Sequence, residues 1–189
     1  MAYKFAEKKA EKLEKQERYT NYKPKTRLKL AGISRGDRVL DIGSGTGFYT
    51  RAAAQLVKQD GLVVGIDILK GMIDKATSLG VPENLEYRLS EESSFPVEDD
   101  TFDWAIMTSL YHELHEPDEF VAEIRRALVS GGRLYFTDWL PQEEKDGPPE
   151  AHRVGKFTVI EKFQSHGFTV DNEDILNNSH YEIVFQKTE

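Results

Sequence analysis

The chain has 189 residues, with 25 Lys and Arg against 33 Asp and Glu for a formal net charge of −8, and no cysteine. That length suits a single domain with a substantial core, while the missing cysteine removes disulfide frameworks, thiolate metal sites and thiol nucleophiles together. The composition, 39% hydrophobic and 11% aromatic, is too apolar for a disordered chain, and no apolar run approaches the ~18 residues of a membrane span. The charged N-terminal stretch is unlike a signal peptide, so a cytoplasmic globular protein is expected.

Charge is distributed unevenly. Residues 1–30 hold eight Lys, two Arg and four Glu, or +6, which leaves −14 for the rest. An acidic body repels phosphate, so nucleic acid is not the expected partner. The basic segment from Tyr3 to Arg18 reads as a helix, with Glu11–Lys15 and Glu14–Arg18 pairs four apart and a thin stripe of Ala6, Ala10 and Leu13. A solvated helix on the body, a lid over a site and an anion-binding arm are its three readings.

Beyond Arg38 short β-rich runs alternate with helical stretches. Val39–Ile42 is a buried strand ended by glycines, and Phe48–Val57 places Tyr49, Ala52, Ala53 and Leu56 at helical spacing. A β-branched run over Leu62–Ile68 precedes a helix near Gly71–Leu79, which Gly80-Val81-Pro82 stops. Leu85–Leu89 and Phe102–Thr108 are the third and fourth strands. Pro117 opens a helix with Phe120, Val121, Ile124 and Leu128 on one face, and Gly131-Gly132 is expected to end it. Arg133–Trp139 is a fifth strand, followed by a Pro-rich loop over Pro141–Ala151, a helix over Val154–His166, and closing strands at Phe168–Val170 and Tyr181–Phe185. This alternation predicts a three-layer, doubly wound α/β fold, its sheet mostly parallel with an antiparallel pair at one edge. Residues 1–36 are then an extension and residues 37–189 the domain.

Between the first strand and first helix runs Asp41-Ile-Gly43-Ser44-Gly45-Thr46-Gly47, and Asp67 follows Gly43 by 24 residues at the end of the second strand. Glycines let a backbone approach a ligand, a helix N-terminus offers unpaired N–H groups, and an acid after the second strand can accept both hydroxyls of a ribose. A dinucleotide fingerprint would need Gly or Ala where Phe48 stands. Asp41 would oppose a pyrophosphate but welcome an amino group. A nucleoside joined to an amino acid suits the loop better.

Val39-Leu-Asp41-Ile-Gly43-Ser-Gly45-Thr-Gly47 is similar, nearly residue for residue, to the first motif of the class I, Rossmann-like S-adenosylmethionine-dependent methyltransferases. The resemblance extends through Phe95-Pro96, Asp100-Thr-Phe-Asp103, Ser109-Leu-Tyr-His112 and Arg126–Leu134, and covers residues 37–139. Among subgroups the chain resembles the small-molecule enzymes typified by ubiquinone and menaquinone biosynthesis. The resemblance implies seven strands with the last but one antiparallel, and S-adenosylmethionine as cofactor. It implies Asp41, Gly43, Ser44, Gly45 and Gly47 around the amino-acid part, Asp67 on the ribose and Ile68 beside the adenine. Glu91, where the family more often has Asp, and Glu92 would surround the adenine, and Ser109 would lie toward the methyl group.

For the acceptor chemistry, His112 follows the fourth strand at the carboxyl end of the sheet and is a candidate base or orienting donor; Tyr111 is a second candidate, or a packing residue. His112-Glu113-Leu114-His115 is not a zinc motif, because its histidines are three apart where a helical pair needs four. No metal is expected. Arg153 could hold an anionic acceptor or lie on the surface, and Tyr19 and Tyr22 could close over the cofactor or pack the N-terminal arm. Without cysteine the thiol chemistry of arsenite methyltransferases is missing. The expected activity is in-line methyl transfer to a small molecule by a monomer or homodimer. A catalytically silent cofactor-binding module, a protein- or RNA-directed methyltransferase using the basic arm, and a nicotinamide oxidoreductase are the rival readings.

Overall fold

A computed structural model describes residues 16–145 and 147–189. The expected basic helix falls outside the described residues as far as residue 15. Helices α1 (Gln16–Tyr22) and α2 (Pro24–Ala31) precede β1 (Arg38–Ile42), α3 (Phe48–Val57), β2 (Leu62–Asp67), α4 (Lys70–Ser78), β3 (Leu85–Leu89) and β4 (Phe102–Thr108). A 3₁₀ turn at Tyr111–Glu113 leads to α5 (Pro117–Ala127) and β5 (Leu128–Trp139); a second at Glu150–His152 leads to α6 (Lys156–Ser165), β6 (Phe168–Asn177) and β7 (His180–Lys187).

The seven strands lie in the order β3-β2-β1-β4-β5-β7-β6. Pairings from β3 across to β5 are parallel, and β7 runs antiparallel to both β5 and β6. The expected antiparallel pair at one edge is therefore present. Because β1 has β2 on one side and β4 on the other, the connections leave in opposite directions between β1 and β4. Ligands of open α/β sheets bind at the carboxyl ends of such strands.

Alternation along each strand divides the core in two. Leu40, Ile42, Val64, Ile66, Leu134, Phe136, Ile183 and Phe185 face one layer, with Phe120, Val121 and Ile124 of α5 and Val159 and Phe163 of α6. Val39, Val63, Trp104, Ile106, Tyr135 and Val184 face the other, with Leu28, Phe48, Tyr49, Ala53 and Val57. Phe163 stacks on Phe185 with centroids 4.5 Å apart and meets Phe136 and Phe168 edge-on. In α5, Pro117 opens the first turn, Asp118 and Glu119 follow it, and Arg125 and Arg126 occupy the last turn, an order that complements the helix dipole.

Two expectations are corrected. Gly131-Gly132 does not end α5, which stops at Ala127; Leu128 is already extended and pairs with Phe102, while Trp104 pairs with Arg133. The glycines sit in the irregular stretch between those pairs, with Gly131 at φ 72°. A left-handed glycine serves a bulge as well as a helix cap, so the dipeptide is ambiguous in sequence. The closing strands are also longer than expected, because the Asp- and Asn-rich residues 171–177 still pair with β7 along the exposed edge.

Candidate active site

The loop after β1 is held from both sides. Ser44 N–H donates to the Ile66 carbonyl at 2.9 Å and Gly47 N–H to the Ser44 carbonyl at 2.9 Å. Gly45 N–H donates to Asp67 Oδ2 at 2.9 Å, and Leu69 N–H donates to Asp67 Oδ1 at 2.9 Å. The Asp67 carboxylate thus ties the glycine loop to the end of β2. Burial raises its pKa, against the pull of these N–H donors.

Two glycines are required by space as well as backbone. Gly43 has φ 69°, and a Cβ there would lie 2.7 Å from Leu110 Cδ2, so the segment after β4 closes on the loop after β1. Gly47, at φ 86°, begins α3, and its Cβ would lie 2.1 Å from Tyr87 Oη. No L side chain fits either position without displacing its neighbour.

Asp41, 2% exposed, lies beneath this loop and accepts a 2.5 Å hydrogen bond from Thr50 Oγ1 of α3. Burial pushes its carboxyl up to about 7, against the lowering effect of Thr50, and the Asp67 charge adds to the rise. Thr50 was not foreseen as its partner. The available signal was that Asp41 and Thr50 share the α3 side of the sheet, β1 alternation setting one and helical spacing the other. Ser44 Oγ is buried and has no hydrogen-bond partner among the described residues.

The other expected cofactor residues ring the same strand ends. Ile68 is 39% exposed immediately after β2. Glu91 N–H reaches the Ser94 carbonyl at 3.4 Å in an isolated bridge, with Glu91 itself exposed. Glu92 accepts from the His115 N–H at 2.9 Å and lies 3.2 Å from His115 Nδ1, joining the segment after β3 to the one after β4. Ser109, at φ 51°, donates its N–H to the Thr137 carbonyl at 2.8 Å.

The two candidates for acceptor chemistry separate. Tyr111 is carried into the core, 6% exposed, its ring 5.9 Å from Phe136 and 6.2 Å from Phe163. Burial there pushes its hydroxyl up to about 12. The packing reading of Tyr111 is the one this geometry favours. His112 sits where the chain turns above β4, with Nδ1 2.8 Å from Asp138 Oδ1 and its backbone N–H 3.2 Å from Asp138 Oδ2. His112 and His115 are thus committed to different carboxylates.

Three further residues take definite places. Arg153 is neither on the surface nor open to an anion: its side chain is fully buried, donating to the Pro148 and Leu140 carbonyls at 3.0 and 3.1 Å, 3.5 Å from Glu144 and stacked 4.9 Å over Trp139. It staples the Pro-rich loop after β5. Tyr19 packs edge-on against Phe48 at 4.6 Å, and Tyr22 lies 6.4 Å from Phe48 and 5.1 Å from His180. Both anchor the N-terminal helices beside the first residue of α3.

A glycine loop at the strand-order reversal, flanked by a buried acid and an acid at the end of β2, defines the nucleoside-binding class of doubly wound folds. The methyltransferase-domain family matches residues 40–136. A SAM-dependent methyltransferase from Aquifex aeolicus superposes with a TM-score of 0.91 at 30% identity, over 97% of this chain and 99% of that one. A ubiquinone/menaquinone biosynthesis C-methyltransferase of Teredinibacter turnerae is 36% identical over 116 residues, 59% of this chain and 47% of the relative. An arsenite methyltransferase of Halobacterium salinarum is 36% identical over 112 residues, 58% of this chain and 29% of that one. The chain spans about half the length or less of these curated relatives. This chain belongs to the methyltransferase-domain family, with the class I, Rossmann-like fold.

Its cofactor is S-adenosylmethionine, and the residues present fit it. The buried, unpartnered Ser44 hydroxyl, the Asp67 carboxylate at the end of β2 and the acid beneath the loop are groups that a ribose and a zwitterionic amino acid would satisfy.

Proposed function

We propose that the protein is a cytoplasmic S-adenosylmethionine-dependent methyltransferase acting on a small molecule. The observation that carries this reading is the glycine loop strapped between Asp67 and β2 over the buried Asp41, with the Ser44 hydroxyl left unpaired inside it. In this reading Asp67 receives the ribose hydroxyls, and Ser44, Gly43, Gly45 and Gly47 present the loop to the amino-acid end above Asp41. Ile68 lies against one face of the adenine while Glu91 and Glu92 border it, and Ser109 and His112 approach the methyl group. When bound, the cofactor supplies a methyl group on a positively charged sulfur. The chain's own part is to hold the acceptor in line with that bond and to keep water out.

Residues 37–189 would form the cofactor-binding domain and residues 1–36 an extension, in a monomer or homodimer. The biosynthetic C-methyltransferase and the arsenite methyltransferase among the relatives both suggest a small acceptor. The arsenite reading is weakened because these 189 residues contain no cysteine. Among the described residues no helix is long and apolar enough to cross a membrane.

The test is a thermal-shift panel with S-adenosylmethionine, its demethylated product, NAD and ATP. A ligand at a hundredfold excess over its dissociation constant adds about 2.7 kcal/mol, which for a domain of this size is roughly 5–10 °C. Stabilisation by the two sulfur nucleosides alone is expected. A shift with NAD alone, or with none of the four, would overturn the proposal.

A further inference from the structure

The carboxyl ends of β4 and β5 hold a pair of groups that cofactor binding does not need. Asp138 is fully buried, and its carboxylate accepts three N–H groups: Nδ1 of His112 at 2.8 Å and the Trp139 amide at 2.7 Å on Oδ1, and the His112 amide at 3.2 Å on Oδ2. It therefore grips both the ring and the backbone of one residue. The His112 side chain is 3% exposed.

An ionised carboxylate can only accept, so its partner nitrogen must carry the proton. Nδ1–H is then the form of the neutral ring, and the lone pair stands on Nε2. Glu113 Oε1 lies 3.7 Å from Nε2, too far for a good hydrogen bond. Beside the pair stand the hydroxyls of Tyr111 and Tyr181, both held protonated by burial, with the Asp118 and Asp138 charges adding at Tyr111 and the Asp138 charge at Tyr181. Tyr181 donates to the Val154 carbonyl at 2.9 Å. No described Lys or Arg is bonded to Asp138. Two residues before His112, Leu110 forms the wall against Gly43 of the cofactor loop.

A buried acid–imidazole pair is costly and adds little stability by itself. At the carboxyl ends of β4 and β5, with the lone pair on its far nitrogen, it has the arrangement of a base and its orienter. We propose that Asp138 is a positioning residue that fixes His112 as the Nδ1–H tautomer, and that the acceptor is a small molecule whose attacking oxygen, nitrogen or carbon carries a proton, which Nε2 of His112 takes up. The claim rests on the methyltransferase reading. In the step, the acceptor's electron pair forms the bond to the methyl carbon, the carbon–sulfur bond breaks with its pair kept by sulfur, and the acceptor proton passes to Nε2 and then to water. The sulfonium's positive charge thus becomes the imidazolium's. Acceptors that attack through a lone pair on an atom bearing no proton, such as iodide, a thioether or arsenite, have no use for this pair.

The test has a readout independent of turnover. In protein labelled with ¹⁵N-histidine, two-bond ¹H–¹⁵N correlations read the His112 tautomer, assigned through His112→Gln, with and without the demethylated cofactor. The wild type should show Nδ1–H and a bare Nε2. Asp138→Asn, which can donate to Nδ1, should move the proton to Nε2 while cofactor affinity by calorimetry stays within about threefold. With methyl-labelled cofactor, transfer to phenol and acetylacetone should fall about 10²–10⁴-fold in Asp138→Asn, and Asp138→Glu should recover part of it. An Nε2–H ring in the wild type, a tautomer unmoved by Asp138→Asn, or label passing to phenol and acetylacetone at the wild-type rate in His112→Gln would overturn the proposal. Wild-type protein that binds no sulfur nucleoside would instead remove the methyltransferase reading, and the tautomer would still judge the pair.

Discussion

Asp41 shows how one buried acid couples stability to ligand. Its carboxyl is pushed up to about 7 from a model-peptide value of 3.8, chiefly by burial. A raised folded-state pKa means the stabilising contribution is fully present below about 3.8 and is lost as the pH climbs through about 7. The cost of ionising it in place is at most about 4 kcal/mol. Asp41→Asn should therefore match the wild type near pH 4 and exceed it in melting temperature at pH 8 when no ligand is present. A lower melting point for the variant at pH 8 would contradict this. A cofactor ammonium near Asp41 favours its ionised form, so wild-type affinity should rise up to about pH 7 and level off. Calorimetry in buffers of different ionisation enthalpy should register proton release near pH 6, and a flat affinity from pH 5.5 to 8 would count against it. Asp67 is a separate case, because it braces the loop and faces the expected ribose. Asp67→Ala should weaken S-adenosylmethionine binding at least tenfold while the far-ultraviolet circular dichroism stays native; unchanged affinity would remove Asp67 from the site. Both acids were legible in the sequence because glycine spacing marks the loop. Thr50, Tyr87 and the Asp138–His112 contact were not, since they join residues whose proximity is created by the sheet register and helix packing.

At the scale of elements, the N-terminal helices are fastened by a polar chain through the second core layer. Arg27 of α2 donates to Glu182 Oε1 at 2.9 Å and to the Leu176 carbonyl at 3.1 Å, and Tyr135 donates to Glu182 Oε2 at 2.8 Å. Glu182 sits on β7 and Tyr135 on β5, so one arginine joins a helix to two strands. Removing it leaves a mostly buried carboxylate with a single partner. Arg27→Met should cost about 1–3 kcal/mol, measured by urea unfolding, and Arg27→Met with Glu182→Leu should recover part of the loss. If the single variant unfolds at the wild-type midpoint, the chain is not structural. Strands β3 and β4 and helix α3 could be read to the residue, because apolar periodicity and flanking turn residues agreed. Strands β5 and β6 could not. In β5 the deciding fact is the pairing of Leu128 with Phe102, and in β6 a polar, two-sided exposed edge has no hydrophobic alternation to betray it.

For the molecule as a whole, order in the sheet predicts an order of protection. Strands β2, β1, β4, β5 and β7 have neighbours on both sides, while β3 and β6 are the edges. Amides of Leu40, Ala105, Phe136 and Ile183 should exchange with solvent near the global unfolding rate, and those of β3 and outer β6 earlier. Uniform exchange across all seven strands would mean that the sheet opens only as one unit and would contradict this order. Charge is also a property of this scale. Residues 31–189 carry −14, so retention on heparin at physiological salt should be negligible unless the basic first 30 residues act alone.

The place of β7 has a consequence for how the protein comes into being. It is seventh in the chain yet sixth across the sheet, wedged between β5 and β6. While a ribosome is still delivering His180–Lys187, β5 presents an open edge and Phe136 and Phe163 lack their ring partner Phe185. The nascent chain thus holds a nearly complete cofactor crevice on an unfinished sheet. That interval exposes a sticky β-edge that a chaperone could guard and that a stalled message would leave exposed.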